Sequence, residues 1–226
     1  MDRPLEHHIQ RSIIVRLSLA ETLRFSDLKP ASLENNHFMY HLNRLIKDGL
    51  VEKRDNLYAL APAGLTYVDL LSYKNRRPRH QPKLIAILVV QNKNGDYLLA
   101  QRHVQPYYGY AMLPSGKQHF GESPFEHAAR EAKEKTGLAI KLAHRGYVNV
   151  KISKGDHIIS HVAAHVFSGK LNDQGAIKQG DERFKLFWQP KNELDKVKLM
   201  PGTLEIIELV SKNQTTFFES LEYQLA

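Results

Sequence analysis

Acidic side chains recur at a helical spacing near the middle of the chain, in the stretch Gly116–Leu138. Glu131 and Glu134 are three residues apart and Lys135 follows four residues after Glu131, so a helix places all three on one face. Carboxylate oxygens are the ligands that Mg²⁺ prefers, and Mg²⁺ also binds phosphate oxygens. The spacing therefore predicts that two carboxylates, a side-chain type that binds Mg²⁺, share one helix face with a positive side chain.

The stretch resembles the Nudix box, a loop-helix-loop that binds a divalent metal and the diphosphate of nucleotide-type substrates. The residues that carry the resemblance are Gly116, Glu122, Arg130, Glu131, Ala132, Glu134, Gly137 and Leu138. The resemblance implies that Glu131 and Glu134 are metal ligands and catalytic residues, and that Gly116 lets the backbone approach the metal. It also implies an α/β/α sandwich with a mixed sheet, and Mg²⁺ or Mn²⁺ as the cofactor of an active enzyme.

Residues around these carboxylates take supporting roles by the same resemblance. Glu122 and Arg130 are expected to pair and to hold the loop against the helix, and Gly137 is expected to end that helix. Lys117 is a candidate contact for a phosphate. Some members of the family draw a further acid from a loop before a late strand, and Glu182 lies in a comparable position. The alternative for this residue is a solvated acid in a turn.

Lys135 stands where the family pattern has a second consecutive glutamate. An ammonium four residues after Glu131 has the favourable orientation for an ion pair, and it would compete with a metal for that carboxylate. On this hypothesis Lys135 contributes to binding a phosphate, and the pocket holds a diphosphate without cleaving it. The alternative is that the lysine points outward and other carboxylates complete the metal site.

Strands and helices on both sides of the box must position it. Ser123 as N-cap and Pro124 at the first helical position predict the start of the box helix. A terminal helix is predicted over 202–214. Tyr107, Tyr108 and Tyr110 precede the box, where they either line a base pocket or pack in the core. Predicted strands cover 84–90, 96–101, 140–150, 158–167 and 184–188.

The first 73 residues have a different, mostly helical pattern. Apolar residues at helical spacing predict a helix with Ser32 as N-cap that ends before Gly49, and short strands follow over 50–53 and 57–60. This order resembles the winged helix-turn-helix domain of bacterial transcription regulators. The residues that carry this resemblance are Tyr40, His41, Leu42, Leu45, Gly49, Leu50, Val51, Tyr58, Leu60 and Gly64.

The resemblance implies that this domain binds double-stranded DNA as a homodimer. The N-terminal part of the third helix would contact base edges, and the wing would contact the DNA backbone. Asparagine suits adenine, whereas arginine and lysine suit guanine or phosphate. The candidate contacts are Asn35, Asn36, His37, Tyr40, His41, Arg44, Lys53 and Arg54.

Composition limits the partners and the compartment. The net charge of the 226-residue chain is +8, and this basic balance favours a polyanionic partner. The basic, proline-containing stretch 74–83 is predicted to link a winged-helix domain over 1–73 to a Nudix domain over 84–226. There is no cysteine, which excludes disulfides and thiolate metal sites. A signal sequence and a long apolar run are both missing, so we expect a cytoplasmic protein that does not bind membranes.

Two functions remain open at this point. In the first, the chain is a DNA-binding transcription regulator, and its Nudix domain binds a nucleotide-like effector of the ADP-ribose or sugar-nucleotide type. In the second, it is a metal-dependent hydrolase that cleaves a nucleoside diphosphate linkage, and the winged helix serves for dimerisation or targeting. The lysine at position 135 favours the first function.

Overall fold

The structure is a computed structural model that describes residues 5, 7–72, 77–78, 81–171, 177–178, 180–212 and 215–225. The chain divides into two compact units, Met1–Gln81 and Pro82–Ala226. Of the predicted linker, residues 74–76 and 79–80 lie outside the described residues, while Arg77-Pro78 pair with Leu71-Ser72. No helix in the described part of the chain is long and apolar enough to cross a membrane.

The first unit combines four helices with a small antiparallel sheet. Its elements are α1 His8–Leu17, β1 Leu23–Arg24, α2 Phe25–Leu28, α3 Asn35–Lys47, β2 Val51–Arg54, β3 Leu57–Leu60, α4 Pro62–Asp69, β4 Leu71–Ser72 and β5 Arg77–Pro78. The strand order of the three-stranded sheet is β1-β3-β2, and β4 pairs with β5 separately. The order of these elements agrees with the predicted one, and their assignment as a winged helix stays a prediction.

An apolar stripe on α3 forms the centre of this unit. Phe38, Leu42 and Leu45 are fully buried and pack with the apolar face of α1. Gly49 follows the helix with a φ of +71°, as the predicted left-handed position requires. Ser32 is not the N-cap, because the helix begins three residues later and Glu34 occupies the cap position.

The second unit is built on one large mixed sheet. Its elements are β6 Lys83–Gln91, β7 Tyr97–Arg102, β8 Ala111–Met112, β9 Ser115–Lys117, α5 Pro124–Thr136, β10 Leu142–Lys154, β11 His157–Lys170, β12 Gly180–Asp181, β13 Phe184–Gln189, a 3-10 helix Lys191–Lys196, α6 Thr203–Lys212 and β14 Phe217–Gln224. The strand order is β12-β13-β7-β6-β11-β10-β14, with β8 paired to β7 and β9 paired to β6. The pairs β6/β11 and β10/β14 are parallel, and the others are antiparallel.

Side chains of β6 alternate between the two faces of this sheet. Ala86 and Leu88 pack on one face with the apolar side of α5. Ile87 and Val89 pack on the other face, where Ile206 of α6 covers them. The sheet therefore lies between two helical layers, and the predicted α/β fold with a mixed sheet is confirmed.

One edge of the sheet was not predicted. Strand β14 lies beside β10, but only Phe217 of its side chains is buried, and Phe218 is 75% exposed. An edge strand with so few buried side chains lacks the apolar run that marks an interior strand.

Local capping explains where α5 begins and ends. The Ser123 hydroxyl accepts a hydrogen bond from the Glu126 backbone N–H, and the Glu126 carboxylate accepts one from the Ser123 N–H. Pro124 follows at the first helical position, and Gly137 ends the helix with a φ of +78°. These features confirm the predicted bounds of the box helix.

We expect Ser123→Ala to lower the free energy of unfolding by about 1 kcal/mol, because the N-terminal N–H groups of α5 lose their side-chain acceptor. Ser32→Ala is the matched control, since this exposed serine caps no helix, and its effect should stay within about 0.5 kcal/mol. Denaturant unfolding followed by circular dichroism measures both. Equal losses in the two variants would contradict the capping role.

Candidate functional site

The candidate site centres on a buried carboxylate that lies against the backbone. Glu131 of α5 is 4% exposed. Gly116 of β9, which pairs with Ala86 of β6, lies opposite it, and a Cβ on this glycine would stand 2.0 Å from the carboxyl carbon of Glu131. The sheet thus fixes the loop, the helix fixes the carboxylate, and only glycine leaves room for both.

One oxygen of this carboxylate has no partner. Oε1 of Glu131 accepts a hydrogen bond from Arg130 Nη1 at 2.9 Å, whereas Oε2 is buried without a partner among the described residues. A buried carboxylate oxygen left unpaired costs free energy, and a bound cation is one way to compensate it. The orphan oxygen beside Gly116 therefore fits a metal ligand.

Arg130 connects the loop to the helix through its forked guanidinium. Nε and Nη2 donate to the two oxygens of Glu122, and Nη2 also donates to the Lys117 carbonyl at 3.1 Å. Nη1 donates to Glu134 Oε2 at 3.1 Å as well as to Glu131. The predicted Glu122–Arg130 pair is thus present, and the same cation lies between the two predicted metal ligands.

This cluster shifts the titration of its members. Hydrogen bonds from Arg130 lower the pKa of Glu122 to about 2 from its ordinary value of 4.5, and the His119 backbone N–H adds to the effect. The bonds to Glu122 in turn raise the pKa of Arg130 above its already high value. Both groups are therefore fully charged at neutral pH.

His127 belongs to the site and was missed by the sequence analysis. Its ring is completely buried, Nε2 lies 3.0 Å from the Gly116 carbonyl oxygen, and Nε2 is 4.0 Å from Glu131 Oε1. Burial lowers the pKa of His127, which favours a neutral ring with its proton on Nε2, donated to that carbonyl. The available signal was its place one helical turn before Glu131, on the face that also buries Ala128.

Lys135 does not pair with Glu131, which corrects the predicted ion pair. Its Nζ lies over the ring of Phe184, 4.4 Å from the ring centre, in a cation–π contact. Arg130 already supplies a positive charge to Glu131. The lysine therefore contacts the ring of Phe184, the first residue of β13, and not a carboxylate of the box.

The predicted acid Glu182 lies exposed in the turn between β12 and β13. Its neighbours Asp181 and Arg183 form an ion pair at 2.6 Å that closes this turn. The contacts of the described residues do not bring Glu182 together with Glu131 or Glu134, so its catalytic role stays a prediction.

A pocket with a volume of about 240 Å³ opens beside Gly116. Three positive side chains line it, those of Lys83, Arg102 and Lys117, and none of the described residues around it is acidic. Burial and the charges of Lys117 and Arg102 lower the pKa of Lys83. Most of the remaining wall is apolar, with Ile85, Ile87, Val150, Val162 and Ile206, and the polar side chains of Ser115, Ser160 and Thr203 also line it. The pocket therefore suits a ligand that is anionic at one end and apolar elsewhere.

The two predicted phosphate contacts face different pockets. Lys117 lines the pocket beside Gly116, whereas Lys135 lines a neighbouring one of about 250 Å³ with Arg183 and Phe184. Arg102 lines both pockets. Of the three tyrosines before the box, only Tyr107 lines the first pocket, and Tyr108 is 61% exposed.

Most of the predicted DNA contacts lie on the surface of the first unit. The exposed ones are Asn35, Asn36, His37, Tyr40, Arg44, Lys53 and Arg54. Arg44 pairs with Asp48 at 3.0 Å, and Arg54 pairs with Glu52, two residues earlier on the same strand β2. His41 is only 6% exposed, which corrects its prediction as a DNA contact, because its face of α3 is turned toward other histidines.

Comparison with known proteins matches residues 81–210 to the NUDIX domain, more than half of the 226 residues. The chain belongs to the Nudix family. Over 131 residues the chain is 29% identical to the protein named Uncharacterized Nudix hydrolase YvcI of Bacillus subtilis (strain 168), and the alignment covers 54% of this chain and 82% of that protein. The stretch Gly116–Leu138 is therefore read as the Nudix box of this domain.

Two solved structures share the fold of this Nudix domain. A mutator MutT protein from Bacillus halodurans superposes with a TM-score of 0.53 at 24% identity, covering 63% of this chain and 90% of that one. The NUDIX domain of Shewanella oneidensis NrtR, complexed with ADP ribose, superposes with a TM-score of 0.52 at 19% identity, covering 66% of this chain and 96% of that one. At these identities the similarity shows the fold alone.

We expect Glu122→Gln to remove a pH dependence from the stability of the Nudix domain. Because the folded pKa of about 2 lies below the ordinary 4.5, the carboxylate stabilises the fold fully above pH 4.5, and this contribution is lost as the pH falls from 4.5 to 2. At neutral pH the variant should have a lower free energy of unfolding than the natural chain. The two values should converge as the pH falls from 4.5 to 2. Urea unfolding at stepped pH measures the difference, and a difference that does not change with pH would disprove the role.

We expect Lys135→Glu to tighten Mg²⁺ binding by about 10-fold or more, because a carboxylate joins Glu131 and Glu134 on one face of α5. Opposite unit charges ~4 Å apart interact by about 4 kcal/mol at an effective dielectric of ~20, and a tenfold gain needs only about 1.4 kcal/mol. Lys133→Glu is the matched control, since it makes the same charge change at an exposed position of the same helix. Isothermal titration with Mg²⁺ compares them, and equal gains would indicate a general charge effect.

Proposed function

We propose that the chain is a DNA-binding regulator whose Nudix domain binds a nucleoside diphosphate-linked effector of the ADP-ribose or sugar-nucleotide type. The observation that carries this proposal is the cationic pocket beside Gly116, which Lys83, Arg102 and Lys117 line together and where none of the described lining residues is acidic. A diphosphate neutralises these charges, and the apolar wall accommodates a base or sugar face. A mostly apolar lining with a few converging polar groups is typical of a small-molecule site.

The state of the box favours binding over cleavage. Arg130 already lies between Glu131 and Glu134, so the two carboxylates are neutralised in part by a resident cation. The third carboxylate of the family pattern is replaced by Lys135, whose Nζ contacts Phe184. Such a domain can hold a diphosphate chiefly with side-chain cations.

A metal ion still fits the residues that are present. The orphan Oε2 of Glu131, the Glu134 carboxylate and the backbone at Gly116 would hold Mg²⁺ or Mn²⁺, and Mg²⁺ is commonly bound by one or two carboxylates together with substrate phosphates. When bound, the ion supplies positive charge to the diphosphate. Lys117 and Lys83 would orient the ligand from the pocket side.

The surface of the first unit supports the DNA-binding part of the proposal. Asn35, Asn36 and Tyr40 are exposed on the first turns of α3, and Lys53 is exposed on the β2–β3 hairpin. A helix N-terminus that reads bases and a hairpin that contacts phosphates are the usual arrangement of such domains. A homodimer would present two such surfaces to paired half-sites.

A fold shared with an ADP-ribose complex supports the effector class. The NUDIX domain of NrtR that resembles this one was solved with ADP ribose. ADP-ribose joins a nucleoside diphosphate to a second sugar, which suits a pocket with one cationic end and one apolar wall.

The second candidate function is a metal-dependent hydrolase of a nucleoside diphosphate linkage. The observation that favours it is the buried, unpartnered Oε2 of Glu131, which is available to a metal ion. The similarity to a protein named as a Nudix hydrolase favours it as well. In this case Glu131 and Glu134 are the catalytic metal ligands.

We expect ADP-ribose to bind with and without Mg²⁺ and to remain intact. Isothermal titration measures binding, and phosphate release in the presence of a coupled phosphatase measures cleavage. Lys83→Ala and Lys117→Ala should each weaken binding, whereas Lys93→Ala, at an exposed turn outside the pocket, should not. Metal-dependent turnover that Glu131→Gln abolishes would instead establish the hydrolase.

We expect the full chain to select a defined duplex from a random DNA library, with an affinity that falls steeply as salt rises. Asn36→Ala should relax the selected sequence, whereas Lys53→Ala should weaken binding to all sequences alike. ADP-ribose should change the affinity for the selected duplex. If the chain binds no duplex even at low salt, the DNA-binding part of the proposal is wrong.

A further inference from the structure

Three histidines meet in the first unit. His37 and His41 lie one turn apart on α3, and His7 precedes α1. One potential ligand nitrogen from each ring lies within 4.8 Å of the other two. The His7 ring stacks on the His41 ring with 3.8 Å between their centres. Residues remote in sequence thus place three imidazoles around one small volume.

The spacing on α3 matches a metal-binding pair. The Nε2 atoms of His37 and His41 are 3.3 Å apart. Two nitrogens bound tetrahedrally at about 2.0–2.1 Å from Zn²⁺ stand about 3.3 Å from each other. The distance between these two nitrogens therefore already matches that of a shared ion, and the His7 ring would turn from its stacked position on His41 to join them.

The most buried of the three rings is that of His41. His41 is 6% exposed, and its Nδ1 is buried without a partner among the described residues. The ring nitrogen that faces His37 is Nε2, and this is the atom of His41 that would bind an ion.

We infer that His7, His37 and His41 form a binding site for a borderline divalent transition metal, of which Zn²⁺ is the main representative. Imidazole nitrogen is a preferred ligand of this class and not of Mg²⁺, so the site differs in selectivity from the carboxylates of the box. His37 is exposed, which leaves a coordination position open to water or to a further ligand. This inference does not depend on the proposed effector or on DNA binding.

Metal binding would exchange one local contact for another. His7 Nδ1 accepts a hydrogen bond from the Ile9 backbone N–H at 3.3 Å and so caps α1. A metal on Nδ1 takes that lone pair, and a metal on Nε2 leaves the proton on Nδ1, so the cap bond ends in either case. The ion would then join the start of α1 to α3 directly.

The test is a Zn²⁺ titration of the full chain after treatment with a chelator, followed by calorimetry or competition with a chromophoric chelator. The natural chain should bind one ion at this site. His37→Ala and His7→Ala should each weaken that binding by at least about 10-fold, a loss that even outer-shell changes can cause. Both residues are accessible enough to be replaced without opening the core, which keeps the test independent of the buried His41.

Two controls make the result specific. His157→Ala removes an exposed histidine of the other unit, and Glu134→Gln removes a carboxylate of the box, and neither should change the affinity. Zinc X-ray absorption should show imidazole ligands in the natural chain. Unchanged affinity in His37→Ala and His7→Ala, with circular dichroism showing folded chains, would overturn the site. Binding that Glu134→Gln abolishes would assign the ion to the box instead and would also overturn it.

Discussion

Arg130 presents N–H donors in a fixed plane, and the local order of the box depends on them. The guanidinium contacts Glu122 and the Lys117 carbonyl on the loop, and Glu131 and Glu134 on α5. A lysine could not replace it, because a single ammonium cannot satisfy such a planar set of acceptors. The loop therefore keeps its position next to the pocket without requiring a bound metal.

The same guanidinium sets the charge balance on which function depends. Three carboxylates surround one arginine, and the deepest of them, Glu131, keeps one oxygen unpaired. A further carboxylate on this face would leave more negative charge for a metal to neutralise. Lys135 contacts Phe184 and adds no carboxylate to this face. Positive side chains lie in the wall of the pocket, at Lys83, Arg102 and Lys117. Under the proposed function, these side-chain cations bind the diphosphate in place of a full set of metal ligands.

Local signals predicted the parts of the fold that are determined locally. Ser123, Pro124 and Gly137 define α5 through caps that involve only near neighbours, and the sequence predicted its bounds. The pairing of Glu122 with Arg130 was predicted by the family pattern. By contrast, the predicted start of α3 was wrong. Exposed Ser32 is a residue type that is common at N-caps, but the residue type alone does not decide whether a helix follows.

These local signals could not predict contacts between distant parts of the chain. The position of Lys135 depends on Phe184, nearly fifty residues later, and a helical spacing rule cannot include that ring. His41 belongs to the buried stripe of α3, three residues after Phe38 and four before Leu45, but the sequence does not show that His7 stacks on it from another segment. Edge strand β14 has no apolar run, so only its pairing with β10 reveals it.

The alternation along β6 has a consequence for how the site can arise. Ala86 and Leu88 support the helix that carries the carboxylates, while Ile85 and Ile87 form the wall of the cationic pocket. A shift of one residue in the pairing of this strand would exchange the two sets and would also move Gly116 from its partner. The pocket and the box therefore cannot be assembled separately: one choice of register, made once during folding, produces both or neither.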